Sequence, residues 1–337
     1  MISMFNVKMD QMKILVTSEC NLSCTHCFRA PDKNKYQLPF VQVTELIDYA
    51  IETSCSSISF SGGEFFVHQD AYRILDYCYE KKMKVKILSN ATQIRRDEYF
   101  SKFTKEGLLS FQISLDGTRE RHDSRRGCGI FDKVISNVSY LNDLGIPVSV
   151  SMTVDQDNMY DVLDVLEMPY FAKCNFVPVA YAGERTRQGR PIFDEKYAEY
   201  EEIIRTLYKS REDNQDVNSR CRMFPHQLGI KYDGTVYPCA VARDYGIFCM
   251  GNIMDTPIKS IVESYLKSDE AKELLDYTSN DISDCKNCRS NTICNKGCRA
   301  RAYKYFGKLM APDPFSCFVF NEPHDDVPLN CLFWGER

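Results

Sequence analysis

Strands and helices alternate six times in the first half of this 337-residue chain. Short apolar runs predict strands at 13–17, 57–61, 84–88, 109–115, 148–154 and 175–179. Segments with apolar residues at helical spacing separate most of them, and we expect a polar loop at 119–129. Such alternation is typical of βαβ units around a parallel sheet. The sequence therefore predicts an α/β fold, a partial (β/α)6 TIM-like barrel, over residues 1–190.

Polar residues stand where several of these strands end. They are Gly62-Gly63-Glu64, Ser89-Asn90, Ser114 and Asp116. In parallel α/β sheets, ligands bind at the carboxyl ends of the strands. Any one of these residues is also common in turns, but together they indicate a binding site at one edge of the sheet. The two glycines would let the backbone approach a ligand closely.

The first predicted strand leads into three cysteines within eight residues, Cys20, Cys24 and Cys27. A cubane [4Fe–4S] cluster normally takes four cysteine thiolates. Three ligands would leave one iron open to a substrate or cofactor, as catalytic zinc sites keep an open position. The spacing therefore predicts a metal centre with an open coordination position.

The C-terminal third carries a second, denser series of cysteines: Cys221, Cys239, Cys285, Cys288, Cys294, Cys298 and Cys317. Cys-x2-Cys pairs serve both zinc and iron–sulfur sites, so the spacing alone leaves both metals open. A redox cluster makes sense beside a site that consumes an electron, whereas zinc would need no partner site. Residues 231–237 have the pattern of a hairpin with a tight turn.

Cys-x3-Cys-x2-Cys after the first strand resembles the signature of the radical S-adenosylmethionine (SAM) enzymes. The ordered seven-cysteine series resembles the SPASM extension that follows many of their barrels. The resemblance implies three [4Fe–4S] clusters and bound SAM, which is cleaved to a 5′-deoxyadenosyl radical that abstracts hydrogen from a substrate. It also implies a small Cys-rich α+β SPASM domain at 217–337, joined to the barrel by a helix and linker at 191–216.

The same resemblance implies which residues bind SAM. Gly62–Glu64 would bind the methionyl amino group, and Ser114 would contact the ribose or methionyl portion. Arg126 would bind the carboxylate, with Arg125 equally placed as the alternative. His26 stands where the family usually has an aromatic residue next to the adenine, and a structural role for this histidine is the competing interpretation.

Carried over by position, Cys221, Cys239 and Cys298 would hold the auxiliary cluster nearer the barrel. The outer cluster would be held by Cys285, Cys288, Cys294 and Cys317. Some relatives supply a fourth ligand to the nearer cluster from between its first two cysteines, but residues 222–238 contain no cysteine. That cluster would therefore have an open iron, or use His226 or Cys249.

Other residues bear on which reaction the enzyme would catalyse. Sulfatase-maturing relatives have an aspartate base directly after the second cysteine of the series, where this chain has Ala240. A radical epimerase needs a thiol that returns a hydrogen atom, and the candidates are Cys128, Cys174 and Cys249. For Cys55 and Cys78, which lie among apolar residues, we expect buried packing.

The resemblance favours maturation of a ribosomally made peptide by crosslinking, epimerisation or oxidation. Few residues precede the first strand, so we expect either a separate leader-binding protein or direct binding of a short substrate. A flavodoxin- or ferredoxin-like protein would donate the electron. The alternatives are an enzyme acting on a small molecule, such as a sugar or aminoglycoside, and a zinc-stapled binding protein without enzymatic activity.

Composition excludes some classes of partner. The net charge is −5 and no long basic block occurs, so we expect no nucleic acid partner. No apolar run is long enough to span a membrane and no signal peptide is recognisable, so we expect a cytoplasmic protein without a membrane partner. In a reducing compartment, clustered cysteines among the 16 present bind metal more often than they form disulfides.

Overall fold

The computed structural model describes residues 9–27, 35–155, 157–171, 173–178, 221, 223–276, 282–288, 297–313 and 316–317. Its contacts divide the chain into two compact units. We call one the barrel unit, which comprises Leu15–Phe40 and Ser57–Arg211. The other, the C-terminal unit, comprises Met1–Ile14, Val41–Ser56 and Glu212–Arg337. The helix and linker predicted at 191–216 lie outside the described residues.

All six predicted strands are present. The first, β1 (Gln11–Leu15), leads into the cysteine loop. In the barrel unit the strands pair in parallel, each with the next along the chain; they are β2 (Ser57–Ser61), β3 (Val85–Ser89), β4 (Leu109–Ser114), β5 (Val148–Val154) and β6 (Lys173–Pro178). The carboxyl ends of these strands, with their polar residues, therefore lie at one edge of the sheet.

Helices connect these strands. They are α1 (Phe40–Glu52), most of which belongs to the C-terminal unit, and then, in the barrel unit, α2 (Ala71–Glu80), α3 (Ser101–Thr104), α4 (Arg119–Arg126), α5 (Ile130–Asp143) and α6 (Asp161–Leu166). Two short 3₁₀ turns are added at Phe65–Val67 and Glu98–Phe100. The alternation of strand and helix is as the sequence predicts.

An aromatic cluster packs one part of the barrel unit. Phe100 lies at its centre, with ring centroids 5.7 Å from Phe111, 6.3 Å from Phe66 and 6.3 Å from Tyr72. The edge-to-face arrangement of Phe100 on Phe66 and Phe111 is the one that aromatic quadrupoles favour. This packing joins the segment after β2 to β4 and to the 3₁₀ turn at Glu98–Phe100.

Helix α4 corrects one expectation, because the sequence predicts a polar loop at 119–129. Its residues Arg119–Arg126 are all polar, so no apolar periodicity marks it. The helix is nevertheless anchored by three of these side chains, at the spacing of one helical face: His122, Arg125 and Arg126 are buried or largely buried. Hydrogen bonds and ion pairs from these side chains connect the helix to the residues that end β4 and β5.

The C-terminal unit is built on mixed strand pairing. β1 pairs in parallel with β7 (Gln227–Ile230), which pairs antiparallel with β8 (Thr235–Tyr237), and β8 pairs antiparallel with β9 (Gly251–Asn252). The predicted hairpin is thus confirmed, and Gly234 in its turn has φ +86°. The helices described in this unit after β8 are α7 (Ala240–Tyr245), α8 (Ile258–Tyr265), α9 (Asp269–Asp276), α10 (Ser283–Lys286) and α11 (Arg299–Phe306).

Among the described residues, none of the helices combines the length and the apolar character that crossing a membrane requires.

We predict that Phe100→Ala lowers the free energy of unfolding by about 3–5 kcal/mol, because the fully buried ring is lost and the rigid aromatic neighbours cannot fill the cavity. Equilibrium urea unfolding followed by circular dichroism measures this. The matched control is Tyr160→Ala, whose side chain is 59% exposed and should change the same free energy by less than about 0.5 kcal/mol. Equal effects of the two substitutions would contradict the packing described above.

Candidate metal and cofactor site

Two glycines after β2 lie directly against the backbone that leads into the cysteine loop. Gly63 N–H donates to Thr17 O at 2.8 Å, and Glu64 N–H donates to Glu19 O at 2.8 Å. A Cβ on Gly63 would lie 2.3 Å from Glu19 O, and one on Gly62 would lie 2.6 Å from Thr17 O. The space above these glycines is thus filled by the chain's own backbone. The hydrogen bonds from Gly63 and Glu64 fix the residues immediately before Cys20.

Glu64 connects the ends of two strands. Its carboxylate is buried and accepts hydrogen bonds from Phe66 N (3.2 Å), Ser89 Oγ (2.8 Å) and Asn90 N (2.7 Å). Burial raises the pKa of Glu64, and these hydrogen bonds oppose the rise without cancelling it. Glu64 therefore holds the polar end of β3 beside the glycine pair.

Asn90 carries this connection to the first cysteine. Its Nδ2 lies 3.8 Å from Cys20 Sγ and 3.0 Å from Asn21 Oδ1, and Asn21 Nδ2 in turn donates to Thr92 Oγ1 at 2.8 Å. The sequence marks Asn90 only as one polar residue at a strand end and assigns it no role. The parallel register of β2 and β3 brings Asn90 next to Glu64, whose backbone N–H in turn donates to Glu19, the residue before Cys20.

Cys20, Cys24 and Cys27 lie close enough for their charges to interact, with Cys20 exposed, Cys24 buried and Cys27 half-buried. Burial raises the pKa of the Cys20 thiol to about 11, and the nearby thiolates of Cys24 and Cys27 raise it further. Burial likewise raises the pKa of Cys24, although the positive charge of Arg126 opposes this rise. Thiols that disfavour ionisation in this way are stabilised as thiolates when a metal ion coordinates them. Three cysteine thiols in one loop, near enough to interact electrostatically, are a donor set that fits an iron–sulfur cluster.

The two candidate arginines on α4 have different surroundings. Arg125 Nη1 lies 2.9 Å from both carboxylate oxygens of Asp155, and its Nη2 donates to Thr153 O at 3.4 Å. Arg126 instead points to the cysteine loop, with Nη1 3.9 Å from Cys24 Sγ. Of the pair that the sequence leaves open, Arg126 is thus the residue at the candidate site.

Asp116 organises the surroundings of Arg126. Its fully buried carboxylate accepts from Arg126 Nε at 2.5 Å and Thr153 N at 3.0 Å, and His26 Nε2 lies 3.2 Å away. Burial disfavours the charged carboxylate, but the Arg126 guanidinium and the His26 hydrogen bond outweigh burial and hold the pKa of Asp116 well below its usual range. Asp116 therefore carries a negative charge next to Arg126 and His26.

The backbone of Asp116 is fixed as firmly as its side chain. Its N–H donates to His122 Nδ1 at 3.1 Å, and its carbonyl accepts from Asn158 Nδ2 at 3.0 Å. Burial lowers the pKa of His122 to about 4, so that the imidazole is neutral and Nδ1 is free to accept this hydrogen bond. The sequence marks Asp116 only as a polar residue at a strand end and indicates no function for it.

His26 is itself nearly buried, and its Nδ1 is a buried polar atom without a hydrogen-bond partner. Such an atom costs free energy unless a ligand or water satisfies it. Ser114, the last residue of β4, is half-buried at the same edge of the sheet. These positions are compatible with the SAM contacts that the sequence predicts for both residues, which remain predictions.

In the C-terminal unit, Cys221, Cys239 and Cys298 pack around one apolar core with Met223 and Leu309. Burial raises the pKa of Cys239 to about 12 and that of Cys298 to about 11, and a neighbouring Cys221 thiolate raises both further. Cys239 Sγ accepts a hydrogen bond from Ala242 N at 3.2 Å at the start of α7. Cys221, Cys239 and Cys298 therefore lie around the same apolar core and within the range of one another's charge, and their role as cluster ligands stays a prediction.

Of the predicted outer ligands, Cys285 and Cys317 are buried and Cys288 is half-buried. Cys294 lies outside the described residues. A residue that the sequence did not single out, Asp313, connects the two cysteine groups. Its carboxylate accepts from Cys298 N (2.8 Å) and Ser316 Oγ (2.7 Å), and its carbonyl accepts from Cys317 N (3.0 Å).

The two named candidates for a fourth ligand of the nearer cluster are both at the surface. The His226 side chain is 47% exposed, with Nδ1 3.2 Å from Asp10 Oδ2, and Cys249 is exposed, with Sγ 3.9 Å from Gly251 O. Among the proposed hydrogen-atom donors, Cys128 is exposed, and the side chain of Cys174 is not among those described.

Cys55 and Cys78 are both buried, as the sequence predicts for packing cysteines.

Two family models match the chain. Residues 14–168 match the Radical SAM superfamily, and residues 221–289 match the SPASM iron-sulfur cluster-binding domain. The first match contains Cys20, Cys24 and Cys27, and the second contains Cys221, Cys239, Cys285 and Cys288 of the C-terminal series. Together they imply iron–sulfur clusters and SAM binding. The zinc-stapled, non-enzymatic alternative is therefore abandoned.

The relatives of this chain include enzymes and biosynthesis proteins. An AdoMet-dependent heme synthase from Nitratidesulfovibrio vulgaris is 25% identical over 90% of this chain and 90% of its own length. The subtilosin biosynthesis protein AlbA from Bacillus subtilis is 29% identical over 74% of this chain and 59% of its own length.

Among solved structures, SuiB from Streptococcus suis bound to its precursor peptide SuiA matches with a TM-score of 0.68 and 17% identity. The match covers 92% of this chain and 76% of SuiB. At that identity the likeness concerns the fold, which confirms the predicted partial TIM-like barrel followed by a SPASM domain.

We predict that Gly63→Ala prevents assembly of the iron centre at Cys20, Cys24 and Cys27, because the new Cβ would displace the Glu19 carbonyl. Iron content and visible absorption of anaerobically purified protein measure this. The control is Gly107→Ala, where φ is +61° but nothing lies within 4 Å, so only about 1–2 kcal/mol of stability is lost and the iron is retained. Full iron content in the Gly63 variant would contradict the proposed loop contact.

Proposed function

Since the chain belongs to the radical SAM superfamily and carries a SPASM domain, we propose that it matures a ribosomally synthesised peptide. The observation that most supports this proposal is the similarity to AlbA, a bacteriocin biosynthesis protein, at 29% identity over 74% of the chain. Further support comes from Mycofactocin maturase MftC of Mycolicibacterium smegmatis, 25% identical over 89% of the chain. The fold shared with SuiB, solved with a bound precursor peptide, is consistent with the same substrate class.

We assign three [4Fe–4S] clusters. Cys20, Cys24 and Cys27 would hold the first; the two auxiliary clusters would be held by Cys221, Cys239 and Cys298, and by Cys285, Cys288, Cys294 and Cys317. When bound, SAM supplies a 5′-deoxyadenosyl radical that removes a hydrogen atom from the substrate. The electrostatically interacting thiols described above support this assignment as a donor set of the right chemistry.

This chain's own residues would bind and orient SAM. The backbone carbonyls of Gly62 and Gly63 would accept hydrogen bonds from the methionyl amino group, and the hydrogen bonds of Gly63 and Glu64 to Thr17 and Glu19 hold that backbone in place. Ser114 and Arg126 lie at the same sheet edge and would contact the methionyl or ribose portion and the carboxylate. His26 Nδ1, fixed by the hydrogen bond of Nε2 to Asp116, would accept a hydrogen bond from the adenine.

The residue at position 240 bears on the reaction class. A cysteine-type anaerobic sulfatase-maturating enzyme of Clostridium novyi is 25% identical over 84% of this chain. Ala240 has no group that can take a proton, so the base that sulfatase-maturing relatives place there is missing. We therefore favour crosslinking, epimerisation or oxidation of a peptide over sulfatase maturation as the reaction of this enzyme.

A second candidate is chemistry on an iron porphyrin. The similarity to the AdoMet-dependent heme synthase spans 90% of both chains, and an Fe-coproporphyrin III synthase of Methanosarcina barkeri is 25% identical over 91% of this chain. This substrate is a small molecule, which is the class that the sequence left as the runner-up. The two candidate functions differ in the substrate that the enzyme consumes, a peptide or an iron porphyrin.

We predict that anaerobically purified protein contains about a dozen irons, as three cubanes require, and forms 5′-deoxyadenosine from SAM and dithionite. Replacing Cys20, Cys24 and Cys27 together by Ala should reduce that product to background, because no cluster can assemble in the barrel unit. Cys78→Ala, a buried packing cysteine on α2, should retain it. Liquid chromatography of the quenched reaction measures the product.

The substrate is tested in the same assay. Short peptides encoded beside the gene are supplied in one arm and iron coproporphyrin III in the other, and mass spectrometry follows both. The proposal predicts a changed mass in a peptide, or uptake of deuterium from heavy water if the reaction is an epimerisation. Loss of carboxylate carbon from the porphyrin with every peptide unchanged would overturn it in favour of the second candidate.

A further inference from the structure

Arg126 is held as a fixed donor beside a cysteine of the barrel unit. Its Nε donates to Asp116 Oδ2 at 2.5 Å, which leaves the two Nη groups for other contacts. Nη1 lies 3.9 Å from Cys24 Sγ, within reach of an N–H···S hydrogen bond, and Nη2 lies 3.5 Å from His26 Nε2. The side chain is 10% exposed, so water screens this charge weakly.

The position of the guanidinium depends on Asp116 rather than on Arg126 alone. The Asp116 carboxylate is anchored on its other oxygen by Thr153 N of β5, at 3.0 Å. Its backbone is anchored by His122 and Asn158, at 3.1 and 3.0 Å. Asp116 therefore fixes one edge of the planar guanidinium and directs another edge to Cys24.

A positive N–H group at a thiolate ligand has a defined effect on an iron–sulfur cluster. The reduced cluster carries one more negative charge than the oxidised one, and hydrogen bonds to the sulfurs and local charge set its reduction potential. We propose that Arg126, positioned by Asp116, raises the reduction potential of the barrel cluster through its contact with Cys24. This inference rests on the proposed cluster ligands and is independent of the substrate.

The neighbouring arginine provides a matched comparison. Arg125 lies on the same helix, carries the same charge and is also buried in an ion pair, with Asp155. Its guanidinium donates to Asp155 and to Thr153 O, both on the side of β5. A general loss of stability in α4 would follow from changing either arginine, whereas a change of potential should follow from Arg126 alone.

The test is a redox titration of the reconstituted full chain, followed by electron paramagnetic resonance without SAM. The barrel-cluster signal is the part that is missing from the variant with Ala at Cys20, Cys24 and Cys27. For Arg126→Gln we expect a more negative potential, with an oxidised-to-reduced ratio at fixed applied potential at least about tenfold higher, which corresponds to 59 mV for one electron. For Arg125→Gln we expect an unchanged potential and a lower thermal midpoint.

Arg126→Lys covers the case in which the glutamine variant assembles no cluster. Lysine keeps the charge but cannot bridge Asp116 and Cys24 with a planar fork, so we expect a shift in the same direction and of smaller size. An unchanged potential in either Arg126 variant that holds the cluster overturns the proposal. So does an equal shift in Arg125→Gln.

SAM affinity of the same variants, measured by equilibrium dialysis, reports the separate role of Arg126 in carboxylate binding. Because neither measurement uses a substrate, failure to modify a peptide leaves the outcome of this test intact.

Discussion

The close approach of two backbone segments is the constraint on which the candidate site depends. The Gly62–Glu64 turn after β2 hydrogen-bonds to Thr17 and Glu19, and this contact leaves no room for a Cβ at either glycine. The cysteine loop begins at the next residue, so its first cysteine, Cys20, is positioned by the turn that follows β2. Glu64 then extends the same arrangement to β3, because its buried carboxylate holds Ser89 and Asn90. Three strand ends are thereby fixed relative to one another before any cofactor binds.

Asp116 has the corresponding role on the other side of the loop. Its buried charge is compensated by Arg126 and by a hydrogen bond from His26, which stands between two of the cysteines. A buried carboxylate is tolerated only when it is paired and hydrogen-bonded in this way. Polar side chains of α4, of β5 and of the segment after β4 thus bond to one another, while Arg126 Nη1 is directed to Cys24 Sγ and the buried His26 Nδ1 has no hydrogen-bond partner.

The sequence predicted the parts of this account that follow from periodicity and spacing. All six strands of the first half and the hairpin at 231–237 were predicted, because apolar alternation and turn residues are local signals. Helix α4 was missed, because its buried face consists of His122, Arg125 and Arg126 and carries no apolar period. The choice between Arg125 and Arg126 could not be made from adjacent positions, since only the fold shows that Asp155 pairs with the first. The glycine pair was predicted, but its physical reason is backbone packing within the chain.

The central claim is that three cysteines hold a cluster with one open iron that binds SAM. Mössbauer spectroscopy of protein reconstituted with isotopically labelled iron tests this most directly, since it distinguishes iron subsites within each cluster. We predict that adding SAM shifts the spectrum of one iron subsite of the barrel cluster, and that the variant with Ala at Cys20, Cys24 and Cys27 lacks both that cluster and the shift. A spectrum of the wild-type protein that SAM does not change would contradict the claim.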